Sequence, residues 1–290
     1  MSNKRLPARG RANPPVVAEK LQKLLAGVGL GSRREVEGWI AAGRVAVNGE
    51  VAHLGQRATS ADRIQVDGTN VSLRQSPAPQ VIVLNKRKGV VCSRKDEEGR
   101  PTVFDELPRL RSGRWVSIGR LDMQTTGLLL VTSDGALAHK MMHPSTGLDR
   151  EYAVRINLQL EDQQIEQLRA GVIVEGERLR FSDIRFYDGS SRNFWYHVVL
   201  MEGKNREVRR LFESAGATVS RLKRVRYGPV ILPSWLKERQ WAYLSAEDQS
   251  ALYGLLKLPY AAPKQAPTRR GGHVAKASCL LPYPELAARR

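Results

Sequence analysis

The chain is short of cysteine, with Cys92 and Cys279 the only two in 290 residues. Two cysteines make no disulfide framework, and a reducing compartment is the natural setting. Long apolar runs are missing too. No stretch reaches the length needed to cross a bilayer, and the basic N-terminus is not followed by an apolar signal-peptide core. Acidic residues are scarce: 29 Asp and Glu face 47 Lys and Arg, for a net charge of +18 and a pI near 10.3. Such an imbalance excludes few folds but points to a polyanionic partner, nucleic acid first. These features together lead us to expect a soluble, cytoplasmic chain with no membrane partner. There is no internal repeat and no nucleotide phosphate-loop motif.

The charge is spread along the chain. Residues 1–18 carry +4 and residues 259–290 carry +5, which leaves +9 in the middle. The first 18 residues are rich in Arg, Pro and Ala without periodicity, and we expect a disordered basic arm. A helix is expected from near Glu19, with Leu21, Leu24, Leu25 and Val28 on one face. Gly29 and Gly31 end it. Ser32-Arg33-Arg34-Glu35 then reads as a capping box opening a second helix, whose apolar face is Val36, Trp39 and Ile40. Arg33, Arg34 and Arg44 fall outside that stripe. Val45 and Val47 lead into Asn48-Gly49, a hairpin signal, and Ile64 to Val66 reads as a further strand ending at Asp67-Gly68. This helix pair with its turn resembles an S4 RNA-binding domain. The domain is expected over residues 19–73, with Arg33, Arg34 and Arg44 on RNA phosphates. Residues 74–80, with Pro77 and Pro79, read as a linker.

Beyond the linker the chain centres on Gly119-Arg120-Leu121-Asp122, which runs through Thr126-Gly127 into the apolar run Leu128 to Val131 and stops at Asp134-Gly135. A carboxylate on a polar loop feeding a buried strand is anchored by the core, a common placement for functional groups. Taken alone, such an Asp more often makes a turn hydrogen bond. The extended pattern, however, resembles the catalytic-loop signature of pseudouridine synthases, in the branch acting on ribosomal RNA. Further segments share the resemblance. They are Asn85-Lys86-Arg87-Lys88-Gly89 (with Arg87 where the family usually has proline), Glu98 to Asp105, Glu151-Tyr152, Gly203-Lys204-Asn205-Arg206-Glu207-Val208-Arg209-Arg210 and Arg221 to Gly228.

The resemblance implies an α+β chain: a small S4-like domain, then a catalytic domain over 81–258 whose mixed, largely antiparallel sheet is flanked by helices. Residues 259–290 would be a basic disordered tail. It further implies that Asp122 is catalytic, that Tyr152 lies against the target base, and that Arg206 meets Asp122. Arg120 and Leu222 would line the pocket, while Lys86, Arg209 and Arg210 would contact RNA. The reaction breaks the bond from ribose C1′ to uracil N1 and rejoins the ring through C5, so it needs no cofactor. The implied partner is 23S ribosomal RNA or a large-subunit assembly intermediate, with the enzyme a monomer. A small-subunit enzyme, or a non-catalytic assembly factor keeping the same scaffold, are the alternatives. No metal is expected, because His139 and His143 stand four apart but lack the further ligands a four-coordinate site requires.

Overall fold

The computed structural model describes residues 18–73, 78–94, 96–110, 112–261, 273–274 and 278–283. Residues 1–17 of the expected basic arm, residues 74–77 of the expected linker, and most of the expected tail lie outside these. The chain divides into two compact units, Met1–Ser76 and Pro77–Arg290.

In the first unit β1 (Glu19–Lys20) precedes α1 (Leu21–Gly27) and α2 (Arg33–Ala41). Helix α1 starts two residues later than its apolar spacing suggests, because Glu19 and Lys20 pair with Ala58 and Arg57 of β4 (Arg57–Ala58). The capping box of α2 is present: Ser32 Oγ accepts from the Glu35 amide at 3.1 Å, and the Glu35 carboxylate accepts from the Ser32 amide at 2.6 Å. Strands β2 (Val45–Val47), β3 (Glu50–Val51), β5 (Ile64–Val66) and β6 (Thr69–Val71) form an antiparallel sheet in the order β3-β2-β5-β6. Asn48-Gly49 turns the first hairpin with both φ positive, at 54° and 94°. Asp67-Gly68 does the same at 49° and 74°, so the strand expected to end there folds back as β6. Leu21, Leu25, Val36, Ile40, Val45 and Ile64 close the core.

The second unit is built on a ten-stranded sheet. Its strands are β7 (Val81–Lys86), β8 (Val116–Ile118), β9 (Thr126–Thr132), β10 (Arg150–Ile156), β13 (Asp183–Ser190), β14 (Asn193–Leu200), β15 (Val219–Tyr227), β16 (Val230–Ile231), β17 (Trp241–Tyr243) and β18 (His273–Val274). The order is β13-β14-β10-β15-β9-β7-β17-β18, antiparallel except at β15-β9 and β17-β18, as the family resemblance implies. Between β10 and β13 come α4 (Asp162–Ala170) and the separate hairpin β11 (Val172–Val174) with β12 (Glu177–Leu179). Strands β7 and β9 are apolar on both faces. Ile82, Leu84, Leu129 and Val131 join one core with α4 and α5 (Glu207–Ser214). Val81, Val83, Leu128 and Leu130 join another with α3 (Gly135–Met142) and α6 (Ala246–Leu255).

Strand β9 holds the sheet together. It pairs with β7 along its length, with β15 at Thr126 and Gly127, and with β8 from Leu130 to Thr132. Gly127 makes the β15 contact attainable. Its φ is +99°, and a Cβ there would lie 2.3 Å from the Arg224 carbonyl oxygen and 2.8 Å from the Arg224 nitrogen.

The expected disordered tail needs correction where it is described. Strand β18 pairs with β17. Cys279 is fully buried, its amide donates to Asp248 at 2.7 Å and its carbonyl accepts from Ile231 at 2.8 Å. The Tyr283 hydroxyl donates to Asp149 at 2.7 Å. Basic, proline-rich composition hid three apolar anchors, Cys279, Leu280 and Tyr283, which pack against the second core.

Asp149 also takes both terminal nitrogens of Arg226, at 2.7 and 2.8 Å, and the Arg226 Nε donates to Glu151 at 2.9 Å. Burial would raise Asp149, but Arg226 and Tyr283 outweigh it and hold its pKa below the usual carboxylate range. Glu151 is likewise held low against its burial, by His197 and Arg226.

Two measurements follow from this architecture. Gly127→Ala meets rigid backbone in a left-handed conformation and should lower the unfolding free energy by about 3 kcal/mol or more. Gly119→Ala, also at positive φ but with nothing within 4 Å, should cost only about 1–2 kcal/mol in the same denaturant titration. Since Asp149 and Glu151 have depressed folded pKa values, their stabilisation is present above the unfolded carboxylate range and is lost as pH falls through the folded values. Urea midpoints from about pH 5 down to about pH 2 should fall less steeply in Asp149→Asn than in the wild type. Parallel curves would show that Asp149 contributes nothing to acid unfolding.

Candidate active site

The loop from Gly119 to Thr125 is held from below by one ammonium group. Lys86, the last residue of β7, is 0% exposed. Its Nζ donates to the carbonyls of Arg87 at 3.1 Å, Asp122 at 3.1 Å and Thr125 at 2.9 Å. An ammonium has three donors and all three are used, which is the condition for burying it. Burial lowers the Lys86 pKa, while the Cys92 thiol, Asp122 and Glu106 pull the other way. Lys86 was expected to touch RNA. That expectation is corrected: β7, buried along its whole length, draws its terminal side chain under the loop, where RNA cannot reach it.

Other bonds complete the loop. The Thr125 amide donates to the Asp122 carbonyl at 3.0 Å, and the Gly89 amide to the Met123 carbonyl at 2.9 Å. The Leu121 amide donates to Cys92 Sγ at 3.4 Å, and the Leu121 side chain is buried. With Leu121 turned in, its neighbours Arg120 and Asp122 are turned out, and both are exposed. Among the described residues neither has an ion pair or a side-chain hydrogen bond.

Beside the loop lie β15 and β10. Thr126 Oγ1 donates to the Leu222 carbonyl at 3.4 Å, and Arg224 stands across from Gly127. Tyr152 stands across from Arg224, and Val154 from Leu222. Tyr152, Leu222 and Leu121 are buried in the same core cluster. The structure therefore brings Tyr152 and Leu222 to the Asp122 loop as a largely apolar floor. Arg224, part of the Arg221 to Gly228 segment but given no role there, is 2% exposed. Its Nε donates to the Leu128 carbonyl at 2.8 Å, and Nη2 is buried without a hydrogen-bond partner.

The arginines of α5 are arranged differently from the expectation. Arg206 sits at the N-cap with φ +48°, before the helix begins, and is exposed. Its ion pair is a loose 3.9 Å contact with Glu213, not one with Asp122. Of the three, Arg209 is the one whose pKa responds to Asp122, with no ion pair between them among the described residues. Its Nη1 donates to the Val219 carbonyl at 3.0 Å, and its buried Nε has no partner. Burial lowers its pKa, Arg206 lowers it further, and Asp122 pulls it back up. The correction has a helical cause. Val208, Leu211 and Phe212 are buried, and Arg209 lies on the flank of that face, one turn before Phe212. Arg206 precedes the first helical turn.

Arg210 is also corrected. It is paired with Glu177 at 2.7 Å and Glu175 at 3.1 Å and bonds the Val174 carbonyl at 2.9 Å, which ties α5 to the β11-β12 hairpin rather than to RNA. In the first unit Arg33 and Arg34 are exposed at the start of α2 without an ion pair among the described residues. The fork of Arg44 is occupied by Asp67, at 2.8 and 2.6 Å. Of the two histidines, His143 bonds Ser145 Oγ through Nδ1 at 2.7 Å.

The arrangement offers an exposed carboxylate on a pinned loop, a half-buried cation coupled to it, and an apolar floor with one aromatic ring. An ionised carboxylate so placed can attack an electrophilic carbon, stabilise a cation or accept a proton.

Comparison with known proteins bears on which chemistry this is. The RNA pseudouridylate synthase family matches residues 80–214, and the S4 domain family matches residues 19–64. A protein named ribosomal large subunit pseudouridine synthase B from Pseudomonas aeruginosa is 58% identical over 228 residues, covering 77% of this chain and 59% of that protein. Proteins of the same name from Salmonella typhimurium and Escherichia coli K12 are 48% and 49% identical over 247 residues, covering 84% of this chain and 85% of each. The chain thus spans 59% of the Pseudomonas relative's length and most of the others'. A crystal structure of a pseudouridylate synthase superposes with a TM-score of 0.57 at 26% identity, over 80% of this chain and 99% of that one. The chain belongs to the RNA pseudouridylate synthase family and carries an S4 domain on its N-terminal side.

Proposed function

We propose that this protein isomerises a specific uridine of 23S ribosomal RNA, in the large subunit or an assembly intermediate of it, to pseudouridine. The observation that carries the reading is the Asp122 loop, pinned by Lys86 with its carboxylate exposed and coupled to Arg209. The large-subunit assignment is supported by the names of relatives that this chain covers over 85% of their length. Work on nascent ribosomal RNA fits a cytoplasmic enzyme, and the residues assigned to the reaction all come from one chain, which suits a monomer.

The chemistry asks little beyond these groups. Detaching N1 from C1′ leaves positive charge on the sugar and negative charge on the ring, and Asp122 is the anion available to the sugar. Arg209, whose pKa Asp122 raises, adds positive charge to the same region. The uridine must leave its stack to reach the loop. Tyr152 and Leu222 then receive the flat ring while it turns to present C5. The ring's electron pair forms the bond from C5 to C1′, the C5 proton leaves and the freed N1 takes one up, so protons and electrons balance and neither a redox cofactor nor an external group is required. Arg33 and Arg34 of the S4 domain serve affinity through phosphates rather than base identity.

Pseudouridine mapping of ribosomal RNA from cells with and without this protein tests the reading and locates the target together. Asp122→Asn keeps the size of the side chain but removes its charge. It should bind RNA with near wild-type affinity and form no pseudouridine, and turnover by the purified variant would sink the assignment. The arginines separate in a single-turnover assay at saturating enzyme. Arg209→Ala should slow the chemical step by about a hundredfold or more, as loss of a group acting in the transition state does. Arg206→Ala should chiefly raise the enzyme concentration needed for saturation. The reverse pattern would return the role to Arg206.

A further inference from the structure

Strands β13, β14, β10 and β15 differ from β7 and β9 in being apolar on one face. The pleat sends Tyr152, Val154, Ile156, Tyr196, Val198 and Leu200 into the core with α4 and α5. The alternate residues point the other way, and the registers order them in rows. One row reads Trp195, Arg155, Arg221, and the next Arg185, His197, Ala153, Lys223. Arg221 is exposed, Arg185 is 78% exposed, and Tyr187 at the adjoining bulge is 73% exposed. This face is turned away from Tyr152 and the Asp122 loop.

Its charges are unbalanced. Asp183 is taken by Arg185 at 2.7 Å and Arg169 at 3.7 Å, and Glu151 by Arg226 at 2.9 Å and His197 at 2.7 Å. Asp188, across from Trp195, accepts from the Gly189 amide at 2.8 Å. Among the described residues no carboxylate lies within ion-pair distance of Arg155, Arg221 or Lys223. Arg155 and Arg221 are moreover direct cross-strand partners, an arrangement of like charges that destabilises a sheet unless an anion joins them. The Arg155 guanidinium lies 6.0 Å from the Trp195 ring centroid, with Nε bonded to Ser220 Oγ at 2.9 Å. His197 and Tyr187 place two more rings 5.4 Å apart. A sheet face carrying uncompensated cations between aromatic rings suits a phosphate backbone with unstacked bases.

We infer that this outer face is a second RNA-binding surface, which holds a segment of the same ribosomal RNA remote from the target uridine. Arg155, Arg221 and Lys223 contact its phosphates, and Trp195 stacks on a base. The inference rests on the chain's being an RNA enzyme. It adds that the large substrate is gripped on both faces of the sheet.

The test compares Arg155→Gln/Arg221→Gln with the wild type, using a large-subunit ribosomal RNA transcript at several salt concentrations. The variant should bind roughly tenfold more weakly at low salt, and its log–log salt slope should be shallower by about 1.4–1.8, for two lost phosphate contacts. Its single-turnover rate at saturating enzyme should equal the wild-type rate. Thermal unfolding reports whether the variant folds, and Arg221→Gln/Lys223→Gln serves in its place if it does not. Unchanged affinity and slope would overturn the inference and leave an acidic protein as the alternative occupant. A fall in affinity for these variants, with a wild type that makes no pseudouridine, would uphold the surface while sinking the enzymatic reading.

Discussion

The buried ammonium of Lys86 is the interaction on which the site depends. Strand β7 carries it into the core, and its three protons go to the carbonyls of Arg87, Asp122 and Thr125. A cation in that position is costly to desolvate and is tolerable only with every donor satisfied. The loop supplies the acceptors, and the cation gives the loop its shape. Leu121 is drawn into the core while Asp122 is turned out. The positive charge beneath the loop also interacts with Asp122, as does Arg209 from α5. The loop therefore carries its carboxylate with one cation holding its backbone and a second, Arg209, whose pKa responds to it.

The strand that follows the loop turns this local arrangement into a site. Strand β9 is shared by β7, β15 and β8, and its contact with β15 is close enough that Gly127 leaves no room for a side chain. That approach puts Arg224 across from Gly127 and Tyr152 across from Arg224. The aromatic ring, the leucine and the acid come from three separate parts of the chain, yet they are ordered by backbone pairing rather than by flexible loops. Preorganisation of this kind suits a reaction in which a detached base must be kept close while it turns.

The C-terminal residues join the same framework from the other side. Cys279, Leu280 and Tyr283 lie along β16 and over Asp149, one residue before β10. The Arg226, Asp149 and Glu151 cluster thus links the end of the chain to the strand that bears Tyr152.

By itself the sequence determined much of this protein, and it did so where the physics is local. The capping box at Ser32, the Asn48-Gly49 turn, the two-sided apolar run of β9 and the stripe of α5 depend on neighbours a few residues away, and each was legible. The loop bearing Asp122 and the strand after it were legible through a contiguous motif. What the tertiary structure decided were the partners of charged side chains. Arg206, Arg209 and Arg210 lie within five consecutive residues, and as letters they are equivalent. Packing alone made the first an exposed N-cap, half-buried the second with its Nη1 on the Val219 carbonyl, and gave the third to Glu175 and Glu177. Lys86 looked like an RNA ligand because lysine is usually solvated, and only a strand buried on both faces could take it inside. A charge is committed by whatever lies across a fold, and that distance is not written in the order of residues.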